Sequence, residues 1–157
     1  MIRIALFQPD IPQNTGTLLR LGACLDIAVD IIGPAGFTLS DKALRRSGMD
    51  YLDQAQMNIH VSWEAFCQSQ PVSEGRLVLL TTKSERSYLD FDYRDNDILL
   101  LGRESSGVPD TVHESVEARV TIPMRPDARS LNMAISASMV AGEALRQTRA
   151  PQATSIV

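Results

Sequence analysis

Cysteine, histidine and long apolar runs are scarce in this chain of 157 residues. The two cysteines, Cys24 and Cys67, lack the spacing of metal ligands, which favours reduced thiols over a disulfide or a zinc site. Apolar runs such as residues 98–101 are too short to cross a bilayer, and the N-terminal segment lacks the features of a signal peptide. We therefore expect a cytoplasmic protein with no membrane segment and no metal.

Motifs of several large enzyme classes are also missing. No G-x-G-x-x-G and no G-x-x-x-x-G-K-[ST] occurs, which excludes the dinucleotide fingerprint and the P-loop. His60 and His113 are the only histidines, and no G-x-S-x-G accompanies them. Glu117 stands where a zinc protease would need a second histidine after His113 and Glu114. Neither a serine hydrolase nor a zinc enzyme is expected.

An excess of positive charge is absent as well, since the net charge is −4 at pH 7. A nucleic-acid partner would therefore need a local basic surface. Lys42, Arg45 and Arg46 share one face of a predicted helix, and Arg125 and Arg129 lie in a later loop. Without further signals, this pattern is more typical of a solvated face than of an RNA site.

Short apolar runs alternate with helical segments along the whole chain. The runs predict strands over residues 2–7, 27–32, 57–61, 77–81, 98–101 and 116–123. The intervening segments predict helices over residues 14–25, 41–46, 62–69 and 109–114, followed by a C-terminal helix rich in small residues. This alternation predicts an α/β fold with a mostly parallel sheet covered on both faces. One domain over residues 1–150 and a frayed tail over residues 151–157 account for the length.

Three polar loops each follow a predicted strand, where open parallel sheets bind their ligands. In the first, Asn14 or Thr15 can cap the next helix, Gly16 allows close approach of a ligand or another backbone, and Arg20 follows. A plain capped helix with a solvated arginine explains this loop equally well.

The second and third loops are residues 99–110 and 124–132. In the second, Glu104 is placed to act in a crevice, although a helix-capping turn is the alternative. In the third, Ser130 or Asn132 serves as a helix cap or contacts a ligand.

Taken in order, the three loops resemble the three motifs of the SpoU branch of the SPOUT methyltransferases. The matching patterns are N-x-G-x-x-x-R at residues 14–20, L-L-G-x-E-x-x-G at residues 100–107, and I-P-M followed by S-L-N-x-A at residues 122–134. Within that branch, I-P-Q-N-T-G at residues 11–16 and the stretch 36–51 resemble enzymes that methylate the wobble ribose of tRNA. The sequence G-R-E-S-S-G departs from the G-P-E-T-R-G typical of those enzymes and is closer to the general SpoU form.

The resemblance implies an α/β knot, in which the C-terminal segment forms a trefoil knot, and an obligate homodimer. It also implies S-adenosylmethionine as cofactor, bound by Leu80, Gly102, Ile122, Ser130 and Leu131. The implied reaction is 2′-O-methylation of cytidine or modified uridine 34 in the anticodon stem-loop of tRNA, with leucine isoacceptors as substrates.

The resemblance casts Arg20 as the group that activates the ribose hydroxyl. Because arginine stays protonated in proteins, we expect Arg20 to bind a phosphate or stabilise the developing alkoxide. Asn14, Glu104, Ser130 and Asn132 would then orient Arg20 and the substrate. The implied RNA surface consists of Lys42, Arg45, Arg46, Arg125 and Arg129.

Three alternatives stay open at this point. The first is a SpoU-type enzyme with another tRNA or rRNA target. The second is an inactive knotted module that only binds RNA, although the joint presence of Asn14, Arg20, Glu104 and Asn132 argues against it. The third is an unrelated nucleotide-binding domain, which would lack its glycine fingerprint. The small residues of the last helix, including Ala137 and Ala141, predict close approach to the knotted loop and to a second subunit.

Overall fold

A computed structural model describes residues 1–38, 40 and 42–149. Its strands are β1 (Arg3–Phe7), β2 (Ala28–Ile32), β3 (Met57–His60), β4 (Arg76–Leu80), β5 (Asp97–Leu101) and β6 (Ala118–Val120). Its helices are α1 (Pro12–Leu25), α2 (Lys42–Gly48), α3 (Trp63–Cys67), α4 (Gln70–Glu74), α5 (Asp110–Ser115) and α6 (Met133–Thr148), with a 3₁₀ turn at Met49–Tyr51. The predicted tail, residues 151–157, lies outside the described residues.

The strands form one six-stranded sheet in the order β3-β2-β1-β5-β4-β6, and every pairing is parallel. This confirms the predicted α/β class. Leu101 at the end of β5 is level with Leu6 of β1 and Leu80 of β4, and Leu80 is level with Val120 of β6. Because the strands run parallel, the loops after β1, β4, β5 and β6 all leave the sheet at one edge.

Both faces of the sheet are buried. One face packs against α1, α2 and α6 through residues such as Leu18, Leu44 and Val140. The other packs against α3 and α5 through Phe66 and Val112. All five residues of the central strand β5 are buried, which agrees with the nearly continuous apolar runs of two-sided parallel sheets.

The small residues of α6 form its buried face. Ala134, Ala137, Ala141 and Ala144 are at most 5% exposed and belong to the core shared with α1 and the sheet. On the outer side, Ile135 is 54% exposed and Met139 is 38% exposed. The helix therefore presents its short side chains inward and two large apolar ones outward.

Several element boundaries differ from the prediction. Helix α1 begins at Pro12, with Ile11 as a cap residue that makes no side-chain hydrogen bond, so the prediction that Asn14 or Thr15 caps this helix is wrong. Both lie inside the helix because proline suits its first turn. Similarly, α5 begins at Asp110 after Pro109, and α2 extends to Gly48.

The predicted strand over residues 116–123 shrinks to the three residues of β6. Beyond it, the backbone of Thr121 bonds to the long β4–β5 connection, because its amide donates to the Arg86 carbonyl at 2.8 Å and its carbonyl accepts from the Tyr88 amide at 2.9 Å. The sequence also missed α4, whose five residues are too short to show helical periodicity. Among the described residues, no helix is both long and apolar enough to span a membrane.

Candidate active site

A cavity of about 520 Å³ opens at the edge of the sheet where β1, β4, β5 and β6 end. Strand ends and following loops supply its walls, and the start of α6 closes one side. All five residues that the family resemblance assigned to the cofactor, namely Leu80, Gly102, Ile122, Ser130 and Leu131, line this cavity. Its volume lies within the range of small-molecule sites, roughly 300–1,000 Å³.

Glu104, Asn14 and Asn132 form one hydrogen-bonded chain beside the cavity. The Asn14 side-chain amide donates to Glu104 Oε1 at 3.2 Å, and Asn132 Nδ2 donates to Asn14 Oδ1 at 2.9 Å. Asn132 Oδ1 caps α6 by accepting from the Ala134 and Ile135 amides at 2.9 and 3.2 Å. The prediction that Asn132 caps α6 is thus confirmed, and its Nδ2 contacts Asn14 beside the cavity.

The chain of hydrogen bonds fixes how Asn14 is oriented. Asn14 is 7% exposed, and because Asn132 Oδ1 accepts from the α6 amides, Asn132 Nδ2 is left to donate to the Asn14 oxygen. The amide group of Asn14 must therefore point its nitrogen to Glu104 and its oxygen to Asn132. Glu104 also accepts from the backbone amides of Asp10 at 2.7 Å and Ile11 at 3.4 Å. The carboxylate consequently holds the β1–α1 loop and the start of α1 together.

The loop that carries Glu104 is a tight turn between two glycines. The Arg103 amide donates to the Gly107 carbonyl at 3.0 Å, and the Gly107 amide donates to the Arg103 carbonyl at 2.8 Å. Gly107 has φ of +69°, and a Cβ on Gly102 would lie 2.5 Å from the Gly107 carbonyl carbon. Both positions therefore need glycine. Gly16 has another role, because a Cβ there would lie 2.5 Å from the Leu44 carbonyl oxygen, so it lets α2 approach α1.

Arg20 does not join this group within one chain. It follows Asn14 by almost two turns of α1 on a different side of the helix, and it is exposed. Its guanidinium lies 5.2 Å from the centre of the Tyr51 ring, and Nη1 lies 3.2 Å from the Met49 sulfur. Arg20 thus sits beside the end of α2, away from the cavity of its own chain, and its catalytic role stays a prediction.

The predicted RNA-binding residues are all exposed, in two separate places. Lys42, Arg45 and Arg46 lie on α2, the helix next to Arg20. Arg125 and Arg129 lie in the loop before α6, where Arg125 pairs with Asp127 at 3.2 Å. Ser130, five residues after Arg125, is exposed at the cavity lining.

Lys83 and His113 also line the cavity, and the sequence did not predict either of them as a site residue. Lys83 is the third residue after β4, so the rule that ligands bind where parallel strands end could have identified it. His113 has a buried Nε2 that lacks a hydrogen-bond partner in the described part of the chain, and its Nδ1 faces the Arg119 Nε–H at 3.3 Å. Nδ1 shares this Arg119 N–H with the His113 carbonyl oxygen, which accepts it at 2.8 Å, and an accepting Nδ1 leaves the ring N–H on Nε2. No sequence pattern marks this contact.

Within the described ranges, no group of three or more His, Cys, Asp or Glu side chains could hold a metal ion. The polar groups gathered at the cavity instead include amides, hydroxyls, one carboxylate, one imidazole and the Lys83 ammonium group. Such groups can orient a hydroxyl-bearing substrate by hydrogen bonding.

Sequence comparison assigns the class. Residues 1–142 match the SpoU rRNA Methylase family, and the chain belongs to that family. A relative from Beijerinckia indica, named tRNA (cytidine(34)-2′-O)-methyltransferase, is 59% identical over 147 residues, covering 94% of this chain and 92% of the relative. The E. coli K12 protein of the same name is 38% identical over 155 residues, covering 98% of each chain.

Structural comparison agrees with this assignment. A structure solved to explain the 2-OH methylation of C/U34 on tRNA is 37% identical, superposes with a TM-score of 0.89, and covers 94% of this chain and 95% of its own. The SpoU methyltransferase AviRb from Streptomyces viridochromogenes, solved with the cofactor AdoMet, shares the fold at 24% identity and a TM-score of 0.85, over 94% of this chain and 60% of its own. The predicted parallel α/β architecture is therefore that of SpoU methyltransferases.

Proposed function

We propose that this protein transfers a methyl group from S-adenosylmethionine to the ribose 2′-hydroxyl of nucleotide 34 in tRNA. The observation that carries the proposal is the Glu104–Asn14–Asn132 chain, which lies beside a cavity of suitable size in a member of the SpoU family. The names of the relatives supply the nucleotide. Such an enzyme acts in the cytoplasm on the anticodon stem-loop.

The residues around the cavity fit S-adenosylmethionine. Apolar strand ends such as Leu80 and Leu101 can contact an adenine ring, while Gly102 offers backbone groups without a side chain in the way. The unpartnered Nε2–H of His113 is a donor for an acceptor on the nucleoside or its carboxylate. When bound, S-adenosylmethionine would supply an electrophilic methyl group on a sulfonium.

The protein must orient the ribose, assist loss of its hydroxyl proton and exclude water. Each Glu104 oxygen already accepts an N–H bond. For that reason we assign Glu104 and Asn14 to orienting the site, together with Ser130 and Asn132 at the start of α6. The positive charge for the developing alkoxide is assigned to Arg20.

Because Arg20 lies away from the cavity of its own chain, we infer that it acts in a homodimer. Leu131, Ile135 and Met139, spaced four residues apart, form an exposed apolar strip from the cavity along α6, and Ile11 is a fourth exposed apolar residue at the cavity; the exposed fractions are 40% for Ile11, 40% for Leu131, 54% for Ile135 and 38% for Met139. A strip of this kind next to a site is typical of an interface. A second copy packed on it by twofold symmetry can bring its own Arg20 to the cavity.

We also infer that the C-terminal segment passes through the β4–β5 connection to make a trefoil knot. The bonds of Thr121 to residues 86 and 88 support this path. Further along, the Gln147 side chain accepts from the Tyr93 amide at 2.9 Å and donates to the Phe91 carbonyl at 3.0 Å. The same connection therefore contacts both the residue after β6 and the last turn of α6.

The experiment is methyl transfer from labelled S-adenosylmethionine to total tRNA from a strain that lacks this gene, followed by nucleoside mapping by mass spectrometry. We expect one 2′-O-methylated nucleotide, at position 34. A transcript with a 2′-deoxyribose at position 34 is the matched control and should accept no label. Label at another ribose, or on rRNA alone, would refute the assigned target.

A further inference from the structure

Two loops at the site are locked together by Asp10, a residue that none of the three motifs includes. Asp10 Oδ1 accepts from Arg103 Nη2 at 2.8 Å and from Arg103 Nε at 3.3 Å. Asp10 Oδ2 accepts from the Ser105 amide at 3.2 Å and from the Ser105 hydroxyl. One aspartate thus holds both sequence neighbours of Glu104.

The lock is reciprocal, since the Asp10 amide donates to Glu104 Oε2 at 2.7 Å. The side chain of Asp10 binds residues 103 and 105, while its backbone binds residue 104. Gln8 adds a weaker contact, because Arg103 Nη1 donates to its side-chain oxygen at 3.4 Å. The guanidinium of Arg103 therefore bonds to Gln8 and Asp10 in the β1–α1 loop instead of to its sequence neighbour Glu104.

The Arg103 guanidinium and the Glu104 carboxylate are both bonded to Asp10. Arg103 Nη2 donates to the Asp10 side chain at 2.8 Å, and the Asp10 amide donates to Glu104 Oε2 at 2.7 Å, so a single residue separates the two groups. Hydrogen bonds from Arg103, then from Ser105, lower the pKa of Asp10 to about 2, so Asp10 is ionised at working pH. Opposite charges held this close attract each other, so Glu104 is the second carboxylate available to Arg103.

We propose that Asp10 is a positioning residue that keeps Arg103 off Glu104, so that Glu104 stays bound to Asn14. The inference rests on the proposed function only because it treats Glu104 and Asn14 as parts of an active site. A bond from a charged guanidinium to a carboxylate is stronger than one from a neutral amide. If Asp10 released Arg103, the guanidinium would displace the 3.2 Å bond from Asn14 and the 3.4 Å bond from Ile11.

The test is a pair of variants and their combination: Asp10→Asn, Arg103→Gln and the double variant. We expect Asp10→Asn to lower kcat roughly 30-fold, as a misplaced orienting group would. Arg103→Gln should stay within about threefold of wild type, because the competing charge is gone. The double variant should recover to within about threefold of Arg103→Gln, since Asp10 then has nothing to restrain.

This recovery separates positioning from a merely structural role. If Asp10 only ties the two loops together, the double variant will be as impaired as Asp10→Asn or worse, and the proposal is wrong. Asp26→Asn is the matched control, because it removes the same charge at an exposed residue after α1 whose side chain accepts a bond from Gln56 and lies outside the Asp10–Arg103–Glu104 contacts. It should change neither kcat nor the melting temperature.

A second readout needs no activity. The side-chain amide protons of Asn14, followed by ¹⁵N NMR in the protein without ligand, report directly on the bond to Glu104. We expect them to shift in Asp10→Asn and to return in the double variant, whereas Asp26→Asn leaves them unchanged. Unmoved Asn14 signals in Asp10→Asn would overturn the proposal even if the enzyme proved to have another RNA target.

Discussion

Replacing Asn132 with alanine removes two interactions that meet at one side chain. The first is the cap of α6, in which Oδ1 accepts from the amides of residues 134 and 135. The second is the bond from Nδ2 to the buried Asn14 oxygen at 2.9 Å. Loss of a helix cap costs about 1 kcal/mol, and an acceptor left without its donor costs about 1 kcal/mol at the low end of the range.

The sum, about 2 kcal/mol, corresponds to a fall in melting temperature of about 4–8 °C for a chain of this size. Asn132→Ser separates the two contributions, since serine caps helices well but cannot reach Asn14. We expect Asn132→Ser to lose about half of that stability and yet most of the methyl transfer. Urea unfolding monitored by circular dichroism measures both variants against wild type.

Equal unfolding midpoints for Asn132→Ala and Asn132→Ser would refute the role of Asn132 as a stabilising helix cap, because the cap would then contribute nothing. Full activity of Asn132→Ser would refute the role of the Asn132–Asn14 bond in the site. The serine hydroxyl oxygen can accept from the α6 amides, but serine has no counterpart of the Nδ2–H group. Comparing Asn132→Ser with wild type therefore isolates the Nδ2–H donor.

Three other predictions address the cofactor, the dimer and the RNA. His113→Leu should weaken S-adenosylmethionine binding about 5- to 10-fold, the value of one hydrogen bond, as measured by calorimetry. His113→Gln retains a donor and should stay within about threefold of wild type. Equal affinities of His113→Leu and wild type would show that His113 does not contact the cofactor. Mixing inactive Arg20→Ala and Glu104→Gln subunits should restore about a quarter of wild-type activity if Arg20 acts across a twofold interface, and none if it acts within its own chain. Arg45→Gln combined with Arg46→Gln should lower by about 2 the slope of log Kd for tRNA against log salt, measured by fluorescence anisotropy; an unchanged slope would mean that α2 makes no phosphate contacts.

The sequence predicted the fold class, and it placed Asn14, Glu104 and Asn132 at one edge of the sheet, for the same physical reason. Each residue lies in or just after a loop at the end of a parallel strand, or at the start of a helix that begins there, and parallel strands deliver such loops to one edge. The residues are 90 and 118 positions apart along the chain, yet a topological rule suffices to bring them together.

Contacts that depend on side-chain direction could not be predicted in this way. Arg20 follows Asn14 on the same helix, but the rotation along α1 turns it toward Tyr51. Asp10 and Arg103 have no periodicity that would link them, and their pairing follows only from how two irregular loops pack. The cap of α1 was mispredicted because a proline at the helix start outweighed the nearby Asn14 and Thr15.

The hydrogen bond between Asn132 and Asn14 also bears on how the protein matures. It joins α1, which precedes most of the sheet in the chain, with α6, which follows β6, so a chain that has formed β1 to β5 but has not docked α6 holds Glu104 and Asn14 without their third partner. If Asn14, Glu104 and Asn132 orient the substrate as proposed, catalytic competence coincides with completion of the fold. A nascent chain would then present the basic residues of α2 before it has a finished site.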